Sequence, residues 1–220
     1  MIKEKDCVNK ISPNYSNLRQ FPETMSLGGE RMKNYQNQNL NKFIKISLLG
    51  AMSVILMYFD FPIPFFPFPW LKIDLSDVTA LIGGLAFGPM AAVVIELIKN
   101  LLILVVKGTS SAGVGELANF IIGVSLVLPP AIIYKRNNTK KSLLIGMLFG
   151  LLSVEIIGIL ANVYILIPLY RMQMSPEEMI YYVTAGLLPF NGIKAVIVGI
   201  INYVLHERLE KALYRKEARA

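Results

Sequence analysis

Val183-Thr184-Ala185-Gly186-Leu187-Leu188-Pro189-Phe190-Asn191-Gly192-Ile193-Lys194-Ala195-Val196-Ile197-Val198-Gly199-Ile200-Ile201-Asn202-Tyr203-Val204-Leu205 is long and apolar enough to cross hydrocarbon as a helix, yet carries an amide and an ammonium near its middle. A lysine at that depth costs about 3 kcal/mol on insertion scales, so it faces a partner, a cavity or a ligand rather than lipid. Removing that charge is accordingly expected to favour folding. Asn191 and Lys194 are three apart, which puts both on one helix face. Together they offer amide N–H, amide C=O and ammonium N–H to one space, a set suited to a flat heterocycle with adjacent carbonyl and imide groups. A lysine snorkelling or paired inside a bundle is the alternative.

The rest of the chain has the same character. Its 220 residues are 54% hydrophobic and only 17% charged. The apolar residues come in blocks of bilayer-spanning length, which makes this an all-α polytopic membrane protein. The blocks predict six transmembrane helices, at 43–60, 75–88, 89–106, 115–134, 142–167 and 183–205. The second is short, and Gly88-Pro89 makes the break before the third.

Lys135, Arg136, Lys140 and Lys141 follow the fourth span, Arg208, Lys211, Arg215, Lys216 and Arg219 follow the sixth, and Lys42 and Lys45 precede the first. The opposite loops hold only Lys72, Lys107 and Arg171. Both termini are therefore expected in the cytoplasm, and the net charge of +7 is mostly topological. A nucleic-acid-binding tail fits poorly, because the charges flank membrane spans and lack interleaved aromatics; contact with anionic lipid fits better.

Residues 1–41 are polar and aperiodic, without a signal-peptide core, and read as a disordered tail ahead of a transmembrane domain at 42–207 and a basic cytoplasmic tail at 208–220. Gly28-Gly29-Glu30-Arg31-Met32 is what a purine-rich ribosome-binding sequence would encode in frame, so Met32 is the expected natural start. The single cysteine, Cys7, allows no intramolecular disulfide and no cysteine metal cluster.

No reaction chemistry declares itself. A phosphate-binding G-x-x-x-x-G-K-[ST] loop, a G-x-S-x-G elbow and an H-E-x-x-H pair are all missing, so no catalytic residue, metal or cofactor is expected and the chain reads as a non-enzyme. His206, the only histidine, reads as an interfacial residue. Polar residues within spans are then the functional candidates. Glu96 and Lys99 are spaced to pair with each other, and Glu116 is placed to stabilise the start of the fourth span. Asn162, in the fifth span, has no obvious local partner and is placed to meet Asn191 and Lys194 in one outward-opening pocket. After the first span, Phe61-Pro62-Ile63-Pro64-Phe65-Phe66-Pro67-Phe68-Pro69-Trp70 cannot continue a helix, and its rings suit either an interfacial belt or a lid over a planar ligand. Ser76 and Asp77 are placed to cap the second span.

Phe-Pro-Ile-Pro-Phe at 61–65, Ile-Asp-Leu-Ser-Asp-Val at 73–78, Phe-Gly-Pro at 87–89, Lys-Asn-Leu-Leu at 99–102, Ala-Asn-Phe at 118–120, Ile-Pro-Leu-Tyr at 167–170 and Pro-Phe-Asn-Gly-Ile-Lys at 189–194 carry a resemblance. From about residue 42 onward the chain resembles the riboflavin-specific S component of energy-coupling-factor (ECF) vitamin transporters. The resemblance implies a multi-pass protein of a prokaryotic cell membrane that captures riboflavin from outside under the loop after helix 1. It further implies delivery with a separate membrane coupling subunit and two cytoplasmic ATPase subunits, riboflavin being a transported ligand rather than a cofactor. It places Asn162, Asn191 and Lys194 in the pocket. Phe65, Phe68, Trp70, Leu71 and Lys72 in the loop, with Asn100 and Asn119 in matching stretches, complete the expected set.

Ser47, Gly50 and Ala51 form a small-residue stripe on the first span that lets another backbone approach closely; the resemblance implies that this seam meets the coupling subunit. Ser76, Ala80, Gly84 and Gly88 form a second stripe, expected to pack internally. A membrane-embedded enzyme would want paired acids or a metal cluster in the spans, and a self-sufficient carrier would want inverted repeats that the two halves lack. The nearest rival is an S component for another vitamin.

Overall fold

The computed structural model describes residues 22–64, 66–109 and 112–209. It separates into two units, Met1–Phe43 and Ile44–Ala220. Of the first, the described part is helical from Pro22, so residues 22–41, expected to be disordered, are helix. Proline is well suited to a first helical position, and the Glu, Met, Lys, Arg and Gln residues that follow are good helix formers. Residues 1–21 and 210–220 lie outside the described set, as does Phe65.

Six helical segments follow one another. They are α1 (Pro22–Tyr58), α2 (Ser76–Phe87), α3 (Pro89–Val106), α4 (Val114–Asn137), α5 (Lys140–Ala161, running on through a π turn at Asn162–Leu166 to Ile167–Leu169) and α6 (Pro176–Tyr181, a π turn at Tyr182–Leu187, then Leu188–Leu209). Five stretches, Gln36–Tyr58, Pro89–Val106, Val114–Asn137, Lys140–Leu169 and Pro176–His206, are long and apolar enough to cross a membrane. At about 1.5 Å per residue, the 12 residues of α2 fall well short of the hydrocarbon thickness of about 30 Å. Instead α2 is enclosed by its neighbours, with Ser76 through Gly84 all buried.

Local chemistry sets the ends. Gly88, at φ 96°, closes α2 and opens α3, with Pro89 in the first turn that follows. Thr139 and Ser142 form a reciprocal capping box on α5. Ser175 accepts from the Glu178 backbone N–H at 3.3 Å, and Glu178 Oε2 accepts from the Ser175 N–H at 2.8 Å. This second box starts α6 at Pro176, earlier than the expected 183, and its Ser-x-x-Glu signature is readable in the sequence. At α2 the expected caps are corrected. Neither Ser76 nor Asp77 caps the helix; Asp74 Oδ1 accepts from the Ser76 N–H at 2.8 Å and from the Ser76 hydroxyl.

Glycine lets the helices close on each other. A Cβ on Gly84 would stand 2.9 Å from the Cβ atoms of both Ala131 and Ala92, and one on Gly146 would stand 2.6 Å from the Pro130 Cα. The stripe on α2 therefore packs internally, and α4 meets α5 through Gly146 and Gly150 at backbone distance. His206 is buried rather than interfacial, with Nε2 2.8 Å from the Tyr134 hydroxyl. On α1 the small-residue stripe divides: Ser47 and Ala51 are exposed, whereas Gly50 is buried, with its Cβ position 3.0 Å from Ile98 on α3. Gly50 thus belongs to the internal packing, because helical rotation turns it about 60–100° away from its two neighbours.

Candidate functional site

A cavity of about 680 Å³ lies at the end of the bundle formed by the turns after α1, α3 and α5, opposite the basic turns. That volume is within the range of about 300–1,000 Å³ typical of small-molecule sites. The two π turns border it. Asn162 and Leu166 come from the first and Tyr182 and Leu187 from the second. A π turn shifts the side-chain register of a helix by one position, and such turns recur at functional sites.

The structure brings Asn119, Asn162, Asn191 and Lys194 together on this lining, with Trp70, Leu71 and Lys72 from the loop. Asn162 donates from Nδ2 to the Gly158 carbonyl at 2.8 Å and accepts at Oδ1 from the Tyr182 hydroxyl at 3.2 Å. Both ends of this amide are engaged, so its placement is fixed by α5 and α6 together. Asn191 is 1% exposed, and neither of its amide atoms makes a hydrogen bond of normal geometry. A buried, unsatisfied amide costs about 1–3 kcal/mol, which a ligand that satisfies it recovers as affinity.

Lys194 is held rather than free. Its Nζ lies 2.9 Å from Asp77 Oδ2 and 3.5 Å from both Asp74 Oδ2 and Asn119 Oδ1. Asp77 Oδ1 is in turn 2.6 Å from Lys99 Nζ, which pairs with Glu96 Oε2 at 2.7 Å. Three carboxylates and two ammoniums thus form one buried cluster under the cavity, joining α2, α3 and α6. The Glu96–Lys99 pair is as expected from its spacing; Asp77 was hidden by its resemblance to an ordinary cap, and Asp74 by its place in the turn before Ser76. With Lys194 neutralised in this way, its removal strands carboxylates, and the expectation that folding improves is corrected.

Two expected residues do not reach the cavity lining. Phe68 is buried behind it, its ring 5.0 Å from Tyr182 and 5.2 Å from Trp70, in a notch left by Gly186. It anchors the loop onto α6. Asn100 donates back to the Glu96 carbonyl at 2.8 Å, bracing α3. The loop itself is a small hairpin, pairing Phe61 with Ile73 and Pro62 with Lys72. At the mouth, Asp60 accepts from Lys107 at 2.6 Å and lies 3.6 Å from Lys72, tying loop to helix. Glu116 also lines the cavity and accepts from the Thr109 hydroxyl at 3.2 Å. Tyr182 gives no sign of a cavity role in the sequence, because the stretch in which it follows Tyr181 carries no signal of a π turn.

The family described as "ECF transporter, substrate-specific component" matches residues 41–206. The chain belongs to this family. Among the relatives of this S component is the riboflavin transporter RibU of Staphylococcus aureus, 34% identical over 86% of this chain and 100% of that protein. The riboflavin transporter FmnP of Bacillus subtilis is 35% identical over 78% of this chain and 93% of that protein. A solved structure described as the S component of a bacterial ECF transporter superposes with a TM-score of 0.69 at 35% identity, over 80% of this chain and 98% of its own. The S component is accordingly a multi-pass membrane protein of a transport family.

Proposed function

We propose that this S component captures riboflavin in the cavity under the α1–α2 loop and supports its uptake. The carrying observation is the mixed chemistry of the cavity lining. Asn119, Asn162, Asn191 and Lys194 lie on it as donors and acceptors, while Trp70, Leu71, Ile103, Ile122, Leu187 and Phe190 offer apolar cover. An isoalloxazine asks for both kinds of contact, with carbonyls and an imide N–H on its pyrimidine edge and an apolar dimethylbenzene end. An asparagine both donates and accepts, as that edge requires. The named activity of the Staphylococcus aureus and Bacillus subtilis relatives supports the same ligand.

In this reading the S component has no catalytic role, and a membrane coupling subunit with two ATPase subunits drives the cycle. Both termini sit in the cytoplasm, which turns the cavity mouth outward, as the Lys135, Arg136, Lys140 and Lys141 cluster at the opposite end favours. Ser47 and Ala51, exposed on α1 beside Leu48 and Met52, offer the coupling subunit a seam for close helix approach. Purification in detergent tests the ligand class. Protein that elutes with a flavin absorbance band supports the proposal; protein that elutes carrying a different vitamin, and takes up no added flavin, overturns it.

A further inference from the structure

Glu155 lies in the middle of α5, where a carboxylate requires a reason, and it does not line the cavity. Its Oε2 is buried without a hydrogen bond of normal geometry, and its Oε1 lies 3.6 Å from the position a Cβ on Gly192 would take, so the carboxylate faces α6 at the residue after Asn191 and within reach of the Asn191 side chain. Glu155, Gly158 and Asn162 are spaced to share one face of the helix. The absent side chain of Gly158 opens a notch that receives the Asn191 amide end-on. Nδ2 is 2.8 Å from that Cβ position, whereas Oδ1 is 4.0 Å away. The nitrogen end of the amide is therefore turned towards the α5 face that carries Glu155.

We infer that Glu155 is a positioning residue for ligand recognition: it draws the Asn191 amide N–H towards α5 and leaves Oδ1 as the acceptor offered to the cavity. An amide can rotate end for end at little steric cost, so which end meets the ligand is set by its neighbours. A carboxylate only accepts, and it selects the N–H end. The ligand group recognised by the remaining Oδ1 is an N–H donor flanked by carbonyls, the imide of a flavin if the function proposed above holds.

The test compares riboflavin with its N3-methyl derivative, which lacks the imide N–H, by fluorescence titration of the purified full chain and of Glu155→Gln. Glutamine keeps the shape but donates as well as accepts, so it no longer dictates the amide's orientation. The expected result is that the parent prefers riboflavin and that this preference falls about tenfold in Glu155→Gln, the worth of one buried hydrogen bond. Asn191→Ala should lose the same preference, and adding Glu155→Gln to it should change the ratio no further. An unchanged ratio in Glu155→Gln, or an equal loss for both ligands, overturns the positioning role, as does a Glu155→Gln effect that persists at full size in the Asn191→Ala background. A parent that binds neither flavin refutes the functional reading itself, and the inference falls with it.

Discussion

Lys194→Ala separates ligand recognition from the charge balance beneath the cavity. In the parent, Lys194 Nζ is 2.9 Å from Asp77 Oδ2, with both side chains buried. Removing one partner of a buried pair costs about 3–5 kcal/mol, because the other charge is stranded. Asp77 keeps Lys99 at 2.6 Å, which sets the expectation at the lower end, about 3 kcal/mol. For a chain of this size that corresponds to a fall of about 6–12 °C in the midpoint of thermal unfolding. Lys194→Met combined with Asp77→Asn removes both charges, leaves Lys99 its Glu96 partner, and should recover part of that loss, Asp74 still being without Lys194. Flavin affinity should behave differently. It should fall in the single variant by about 1.5–3 kcal/mol, the worth of a charged donor, and should not return in the double variant. Fluorescence-detected thermal unfolding in detergent reads the first quantity and flavin titration the second. A single variant as stable as the parent, or a double variant no better than the single one, would refute the argument that Lys194 neutralises Asp77.

Asn162→Ala should weaken flavin binding by about 1–3 kcal/mol, and Tyr182→Phe by less, since it removes only the hydroxyl that holds Asn162; titration of each checks the order. Ser47→Leu or Ala51→Leu should abolish co-purification with the coupling subunit while leaving flavin titrations unchanged, and persistent uptake in cells would assign the seam elsewhere. Gly50→Leu should instead lower the unfolding midpoint of the isolated chain, because its Cβ position is already 3.0 Å from Ile98. Asp60→Asn should speed flavin release by loosening Lys107 and Lys72 at the mouth, measured by stopped-flow displacement; an unchanged off-rate would show that the hairpin is held by Phe68 and Tyr182 alone.

Signals that are local in sequence were the legible ones. The Gly88-Pro89 break, the Glu96–Lys99 pair and the apolar blocks of α3, α4 and α5 all follow from spacing and length, and the structure has them close to where they were expected. Asn162, Asn191 and Lys194 stood out because polar groups in hydrocarbon are costly, whatever their partners. What spacing could not supply was the partner across the bundle. Asp74 lies 120 positions from Lys194, and beside Ser76 it reads as a turn residue. Phe68 and Trp70 are indistinguishable within a proline-aromatic loop, and only the notch at Gly186 decides that one anchors the loop while the other faces the cavity. The π turns at Asn162 and Tyr182 have no sequence signature, yet they set which side chains the helices present to the site.

Titration of the purified chain with riboflavin, followed by quenching of flavin fluorescence in parallel with Lys194→Ala, decides whether the cavity holds a flavin against Lys194. Saturable binding of one riboflavin per chain is expected, at least about tenfold weaker in the variant. Absence of saturable quenching in the parent, or identical curves for parent and variant, would contradict it.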